Sequence, residues 1–361
     1  MARKRYVYEP DYAVPPGDTL LETIECLNIS QAELAERTGR PTKTLNGIIK
    51  GKVAITAETA IQLERVLGVD AGFWLKLESN YQEAVARIKE KEALQTELEW
   101  LKSIPIKEMI AYKWIPASKD SIELIRSALQ FFGVASVSAW KNHWANPEVS
   151  YRKSLCFESN PGSLTAWLRK GEITAQALSC GPYNRAKFLE ALKEIRTLTR
   201  EDPGVFVPRM ISLCAEAGVA LVFVRELPKC PVSGAARWLS PDKAVIQLTL
   251  RHRFDDHFWF SFFHEAGHIL NPRKRDIFVD SDADPNTAEE EEANRLARNS
   301  LIPDAAYRVL LQSRPISRKK VISFAEQQKI APGIVVGRLQ HDKVIEYKHL
   351  NNLKRKFVWA D

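Results

Sequence analysis

The chain is poor in the residues that build disulfide scaffolds and membrane spans. Its five cysteines, Cys26, Cys156, Cys180, Cys214 and Cys230, are scattered, odd in number and never spaced C-x-x-C. That argues against a disulfide framework and against a cysteine zinc site, and it fits a reducing compartment. No run of about 18 apolar residues is present, so no membrane span is expected. The start, Met1-Ala-Arg-Lys-Arg-Tyr6, lacks the apolar segment of a secretory leader. A cytoplasmic location is therefore expected. No internal repeat is visible, and histidine is scarce, at seven residues.

What is present is ordinary for a globular protein: 45% hydrophobic and 27% charged residues. A length of 361 residues is long for one core, so two or three domains are expected. The net charge of +7 allows a nucleic-acid partner without establishing one.

Two of the histidines fall in one apolar stretch, Phe258-Trp-Phe-Ser-Phe-Phe-His264-Glu265-Ala-Gly-His268-Ile-Leu270. On a helix, positions four apart share a face, so His264 and His268 can aim two imidazole nitrogens at one point. Neutral imidazole is a good zinc ligand. Glu265 is rotated about 100° around the helix and is poorly placed as a ligand. It can instead reach a water at the metal and take its proton.

A third ligand is needed, and the candidates lie in Ala288-Glu-Glu-Glu-Glu-Ala-Asn-Arg-Leu-Ala-Arg-Asn-Ser-Leu-Ile-Pro303. Ala293, Leu296, Ala297 and Leu301 mark the packed face of that helix. Glu290 lies on the same face, and Glu289 is nearly as well placed. Glu291 and Glu292 point further away, as acids at a solvated helix start would.

The first 80 residues carry a different pattern. Ser30-Gln31-Ala-Glu33 reads as a capping box opening a short helix that Gly39 ends. Thr42 is expected to cap the next helix, which Gly51 stops, and Thr56 the one after, to about Leu67. Leu34, Ala35, Leu45, Ile48, Ile49, Ile61, Leu63 and Leu67 supply a small core. Two short helices joined by a tight turn form a helix-turn-helix. Thr42, Lys43, Thr44 and Asn46 stand where short polar side chains read base edges, and Gln31 and Lys50 are placed for the backbone. The segment is near neutral, with ten Lys/Arg and eleven Asp/Glu over 1–80. Yet Arg37, Arg40, Lys43, Lys50 and Lys52 occur together with no acid among them, which suits phosphate contact.

Residues 81–200 read as a helical connector: a charged helix from Tyr81 to about Lys102, then Ile122–Phe132, and further pieces at 163–168, 175–178 and 183–199. Trp140, Trp144 and Trp167 sit at helical spacing and read as core rather than base-stacking groups. From about 201 the pattern changes. A helix over 205–216 precedes apolar strands at 219–224, 233–238 and 244–250, with Ser240-Pro241-Asp242 as a turn. A small antiparallel sheet is thus expected to lead into the His-Glu-x-x-His helix. A sheet edge beside a metal could hold a peptide by strand addition.

Residues 17–80 resemble the XRE-type helix-turn-helix family and its HigA-like antitoxins, through Ser30-Gln-Ala-Glu-Leu-Ala-Glu-Arg37, Ile48-Ile-Lys-Gly-Lys52, Ile55-Thr-Ala-Glu58 and Leu67-Gly-Val-Asp-Ala-Gly-Phe-Trp-Leu75. The resemblance implies a five-helix, lambda-repressor-like fold and a homodimer that represses transcription from palindromic double-stranded operator DNA. A cognate toxin is a further partner it brings. Arg40-Pro41 departs from the usual Val-Ser.

Residues 205–360 resemble the ImmA/IrrE zinc metallopeptidases, of gluzincin type. The carrying motifs are His264-Glu-Ala-Gly-His268, Glu290-x-x-Ala293-Asn294-x-x-Ala297, Leu301-Ile-Pro303 and Ile330-Ala-Pro-Gly-Ile-Val-Val-Gly-Arg-Leu-Gln340. By that resemblance His264, His268 and Glu290 hold Zn2+, and Glu265 is the general base. The substrate it implies is a regulatory protein such as a repressor, here with the chain itself as one choice. His257, Arg298 and Tyr307 remain open as oxyanion donors.

The fold class expected is mainly α with a small antiparallel sheet, α+β. It divides into a DNA-binding domain over 1–80, the connector over 81–200 and a zincin-like metallopeptidase domain over 201–361. The competing expectation is a repressor or antitoxin whose metal domain is a non-catalytic sensor or toxin-binding module.

Overall fold

The computed structural model describes residues 12–144, 160–271, 288–313 and 315–359. The basic arm at Arg3, Lys4 and Arg5 lies outside the described residues, as does Cys156. The chain divides into two compact units, Met1–Leu98 and Glu99–Asp361.

The first unit holds five helices: α1 (Pro16–Cys26), α2 (Gln31–Thr38), α3 (Thr42–Ile49), α4 (Ala57–Leu67) and α5 (Ala71–Gln95). Leu20, Ile24, Leu34, Leu45, Leu63 and Trp74 meet in its core. Ser30 caps α2 by accepting from the Glu33 amide at 3.1 Å, and Thr56 caps α4 by accepting from the Thr59 amide at 3.2 Å. Gly39 closes α2 with φ +66, a left-handed conformation that costs a glycine nothing.

Three expectations change here. Thr42 is the first helical residue of α3 rather than its cap; Pro41 holds the cap position with φ −58. Ile61 is 44% exposed and stands outside the core. The charged helix expected from Tyr81 begins ten residues earlier. Asp70 caps it through the Gly72 amide at 2.8 Å, Trp74 is fully buried, and the buried Glu78 carboxylate accepts from the Ile55 amide at 3.0 Å. The front of α5 is thereby part of the helix-turn-helix core. Residues 81–98 fall in the first unit and 99–200 in the second.

The second unit opens with α6 (Ile106–Ala111), α7 (Ser121–Phe132), α8 (Val137–His143), α9 (Pro161–Ala177), α10 (Arg185–Thr197) and α11 (Pro203–Glu216). The pieces expected at 163–168 and 175–178 are one helix, α9. Trp140, Trp144 and Trp167 are all buried. Ser121–His143 has the length and apolar composition of a membrane span. Gly133, at φ +69, ends α7 inside that stretch, and Phe132 and Trp140 then pack edge to face at 5.7 Å.

The sheet differs from expectation. Strands β1 (Val219–Phe223), β2 (Gly234–Ser240) and β3 (Lys243–Leu248) lie in the order β1-β3-β2. β2 and β3 form an antiparallel hairpin, but β1 pairs with β3 in parallel, Val219 facing Ala244. The sheet is mixed rather than antiparallel. Continuous apolar runs such as β1 and β3 are buried on both faces and carry no signal of strand direction.

Helices α12 (Asp255–Leu270), α13 (Ala288–Leu301), α14 (Asp304–Gln312), α15 (Arg318–Gln328) and α16 (Pro332–His341) complete the unit. α12 is its centre, packed against α13, α16, β2 and β3. It lacks a side-chain cap. A backbone carbonyl of the C-terminal segment takes that place. The Asp255 amide donates to the Arg355 carbonyl at 2.9 Å, and buried Asp256 meets buried Lys354 at 2.6 Å. Burial and the adjacent Asp256 push the Asp255 carboxyl up to about 6.

Candidate metal centre and helix-turn-helix surface

α12 and α13 cross at very short range. A Cβ on Gly267 would lie 2.9 Å from the Ala293 Cα, so only glycine allows this approach. The consequence is chemical, because the crossing brings Glu290 onto the histidines. His264 Nε2 lies 3.0 Å from His268 Nε2 and 3.3 Å from a Glu290 carboxylate oxygen. His268 Nε2 lies 3.4 Å from the other oxygen. Donor atoms around a four-coordinate zinc with bonds of about 2.0–2.1 Å stand roughly 3.3 Å apart. Two imidazoles and one carboxylate at these spacings fit a zinc ion with one position left open.

Among the acids of α13, Glu290 is the residue brought to the histidines. Glu291 and Glu292 are exposed, and the Glu289 side chain lies outside the described residues. Burial opposes charge on His264. Its hydrogen bond to Glu290 and the nearby Glu265 and Glu290 charges outweigh that and raise its pKa. Hydrogen bonds to His264 and His268 hold Glu290 well below the usual carboxylate range.

Glu265 is buried at 6% exposure, with its side chain against β2 and its charge close enough to act on His264. A Cβ on Gly234 would lie 2.8 Å from its Cγ and from Oε1. Gly234 therefore makes the space in which this carboxylate sits.

Asn294 was not singled out as a site residue by the sequence. Its Oδ1 lies 3.1 Å from His264 Nδ1. With Nδ1–H donating there, Nε2 keeps its lone pair for a metal. The signal was present: Asn294 follows Glu290 by four residues, on the same helix face. Of the three oxyanion candidates, His257 and Arg298 line one cavity beside the site, whereas Tyr307 packs under Arg338, whose guanidinium lies 4.7 Å from its ring.

On the first unit, Gln31 opens α2 and is half-buried. Thr42 and Lys43 are exposed at the start of α3, Thr44 and Asn46 are half-buried, and Lys50 is exposed at its end. The basic stretch is smaller than its sequence suggests. Arg37 pairs with Glu33, and Arg40 with Glu58 at 3.3 Å and with Gln62. Lys43, Lys50 and Lys52 form no ion pair among the described residues, and all three are exposed.

Comparison with known proteins fits this division. Residues 26–74 match the helix-turn-helix family, and residues 224–337 match the IrrE N-terminal-like domain. The chain is 35% identical over 71 residues to the uncharacterized HTH-type transcriptional regulator YddM of Escherichia coli (strain K12), covering 20% of this chain and 76% of that protein. Two solved structures are also similar over about a quarter of the chain. An addiction module antidote protein of the HigA family from Coxiella burnetii is 31% identical, covering 24% of this chain and 94% of that one, with a TM-score of 0.22. A putative antidote protein of a plasmid maintenance system from Nostoc punctiforme PCC 73102 is 28% identical, covering 23% and 92%, with a TM-score of 0.23. The chain belongs to the XRE-type helix-turn-helix transcriptional regulators and carries an IrrE-like domain in its second unit.

Proposed function

We propose that this DNA-binding regulator carries a working zinc endopeptidase, which hydrolyses a peptide bond in a regulatory protein, with this chain itself as one candidate substrate. The observation that carries the reading is the convergence of His264, His268 and Glu290 at 3.0–3.4 Å beside the buried Glu265. His264, His268 and Glu290 would hold the ion, and Asn294 would orient His264. Zinc, when bound, supplies a Lewis acid that polarises the scissile carbonyl. Glu265 acts as general base, taking a proton from the attacking water and delivering it to the leaving amine. β2 lies at a sheet edge next to α12, where an extended peptide can add as a strand. Glu265→Gln should keep zinc near one ion per chain and lose cleavage, read by mass spectrometry of incubated samples. Undiminished cleavage in that variant would sink the mechanism.

The same proposal assigns Thr42, Lys43, Thr44 and Asn46 to base edges and Gln31 and Lys50 to phosphates, on a homodimer at a palindromic operator. The exposed Lys43 and Lys50, in no ion pair among the described residues, support it. Lys43→Ala with Thr44→Ala should abolish operator binding in a mobility-shift assay. The HigA-like motifs in residues 17–80 extend the reading to a cognate toxin, to be sought by co-purification from a host that encodes one.

A further inference from the structure

A cavity of about 210 Å³ opens in the second unit between α12, α13 and α16. It begins one helical turn from the metal cluster along α12 and two turns from it along α13. On α12, Phe260 precedes His264 by four residues, and their rings lie nearly parallel with centroids 6.1 Å apart. On α13, Arg298 follows Asn294 by four residues. Leu301, Ile302 and Ile334 supply its apolar wall, and His257 and His341 stand at it too.

Arg298 gives the cavity a positive sign, and Arg338 adds an unmet donor. Arg298 has no carboxylate partner among the described residues. Arg338 binds Asp342 through Nε at 2.7 Å and has Asp304 at 3.8 Å from Nη2, but its Nη1 is buried with no hydrogen-bond partner among them. A buried guanidinium nitrogen left unmet costs free energy, and an incoming acceptor relieves it. Asp256 also lines the cavity but is already neutralised by Lys354 at 2.6 Å.

We propose that this cavity is the specificity pocket of the metal centre: it takes a large apolar side chain of the bound peptide, while Arg298 and Arg338 hold a carboxylate on the neighbouring residue. The inference rests on the peptidase reading for the nature of its ligand, a peptide. The volume suits one large side chain and excludes a folded segment. Burying such a side chain drives binding, and the charge-assisted hydrogen bonds fix its register.

The test uses the full-length, zinc-loaded Glu265→Gln protein and short blocked fluorescent peptides with Leu-Asp, Ala-Asp, Leu-Lys or Ala-Lys at their centre. Leu-Asp should bind about tenfold more tightly than Ala-Asp or Leu-Lys by anisotropy. Adding Arg298→Glu should reverse the Asp-over-Lys order and keep the Leu-over-Ala order, with zinc content and melting unchanged as the control for folding. Equal or undetectable affinities for all four peptides, in protein that retains zinc, overturn the pocket. Wild-type protein then separates the two readings. Cleavage without preference for Leu-Asp refutes the pocket and leaves the peptidase standing. Selective binding without cleavage of any peptide refutes the peptidase and leaves the pocket as a recognition site.

Discussion

The two units place function at opposite depths. In the first, the groups proposed for DNA are short or flexible side chains at the surface of α2 and α3, and the core beneath only holds the helices in register. In the second, the groups that converge are half-buried or buried, and they come from two consecutive helices that must cross closely. Charge follows the same contrast. Exposed pairs such as Arg37–Glu33 decorate the first unit, whereas Asp256–Lys354 is buried where the metal helix begins. A surface function tolerates loose packing around it. A metal centre built across two helices does not.

Breaking a buried charge pair should test that contrast most severely. Lys354→Met leaves Asp256 buried without its cation and should cost about 3–5 kcal/mol in the second unit, read by chemical denaturation. A loss below about 1 kcal/mol would show that water reaches the pair. Asp255 sharpens the same region through pH. Its carboxyl is at about 6 in the fold against an ordinary 3.8, so the folded state binds the proton more tightly. Its contribution is favourable at low pH and is lost as pH rises through about 6, by up to about 3 kcal/mol. Asp255→Asn should therefore raise the Tm relative to wild type more at pH 8 than at pH 5, measured in chelator so that metal binding does not intrude.

Smaller effects bear on the site and on the surface. Asn294→Ala should weaken zinc binding by roughly 10–100-fold, by analogy with other residues that orient a metal-bound histidine. A competition assay against a chelating dye reads this, and unchanged affinity would remove Asn294 from the centre. On the first unit, Arg37→Ala should change stability by less than about 1 kcal/mol, because an exposed pair gains little. A large loss there would erase the contrast between the units.

Much of the metal helix was legible because its signal is local. His264 and His268 share a face by spacing alone, and the aromatic flanks of that stretch predict burial. The acidic run was legible only in part. Periodicity left Glu289 beside Glu290, and the helix crossing at Gly267 and Ala293 brings Glu290 to the histidines. Asn294 and Gly234 went unread because each matters only against a residue distant in sequence. The mixed sheet was unreadable for a related reason, since β1 and β3 look alike whichever way they run. The early start of α5 was missed because its signal is tertiary: Trp74 and Glu78 are buried against the other helices of the unit.

The sequence by itself determined the helix caps at Ser30 and Thr56, the stop at Gly39, the apolar character of the strands and the shared face of His264 and His268. Each of these depends on interactions within a few residues, where spacing and side-chain chemistry suffice. Tertiary structure alone decided the direction of β1, the meeting of Glu290 with the histidines, the pairing of Arg37 and Arg40 with acids, and the arginine-lined cavity beside the centre. These depend on how close two backbones can come and on which charges then lie within reach, and close packing fixes both only once the whole unit has folded.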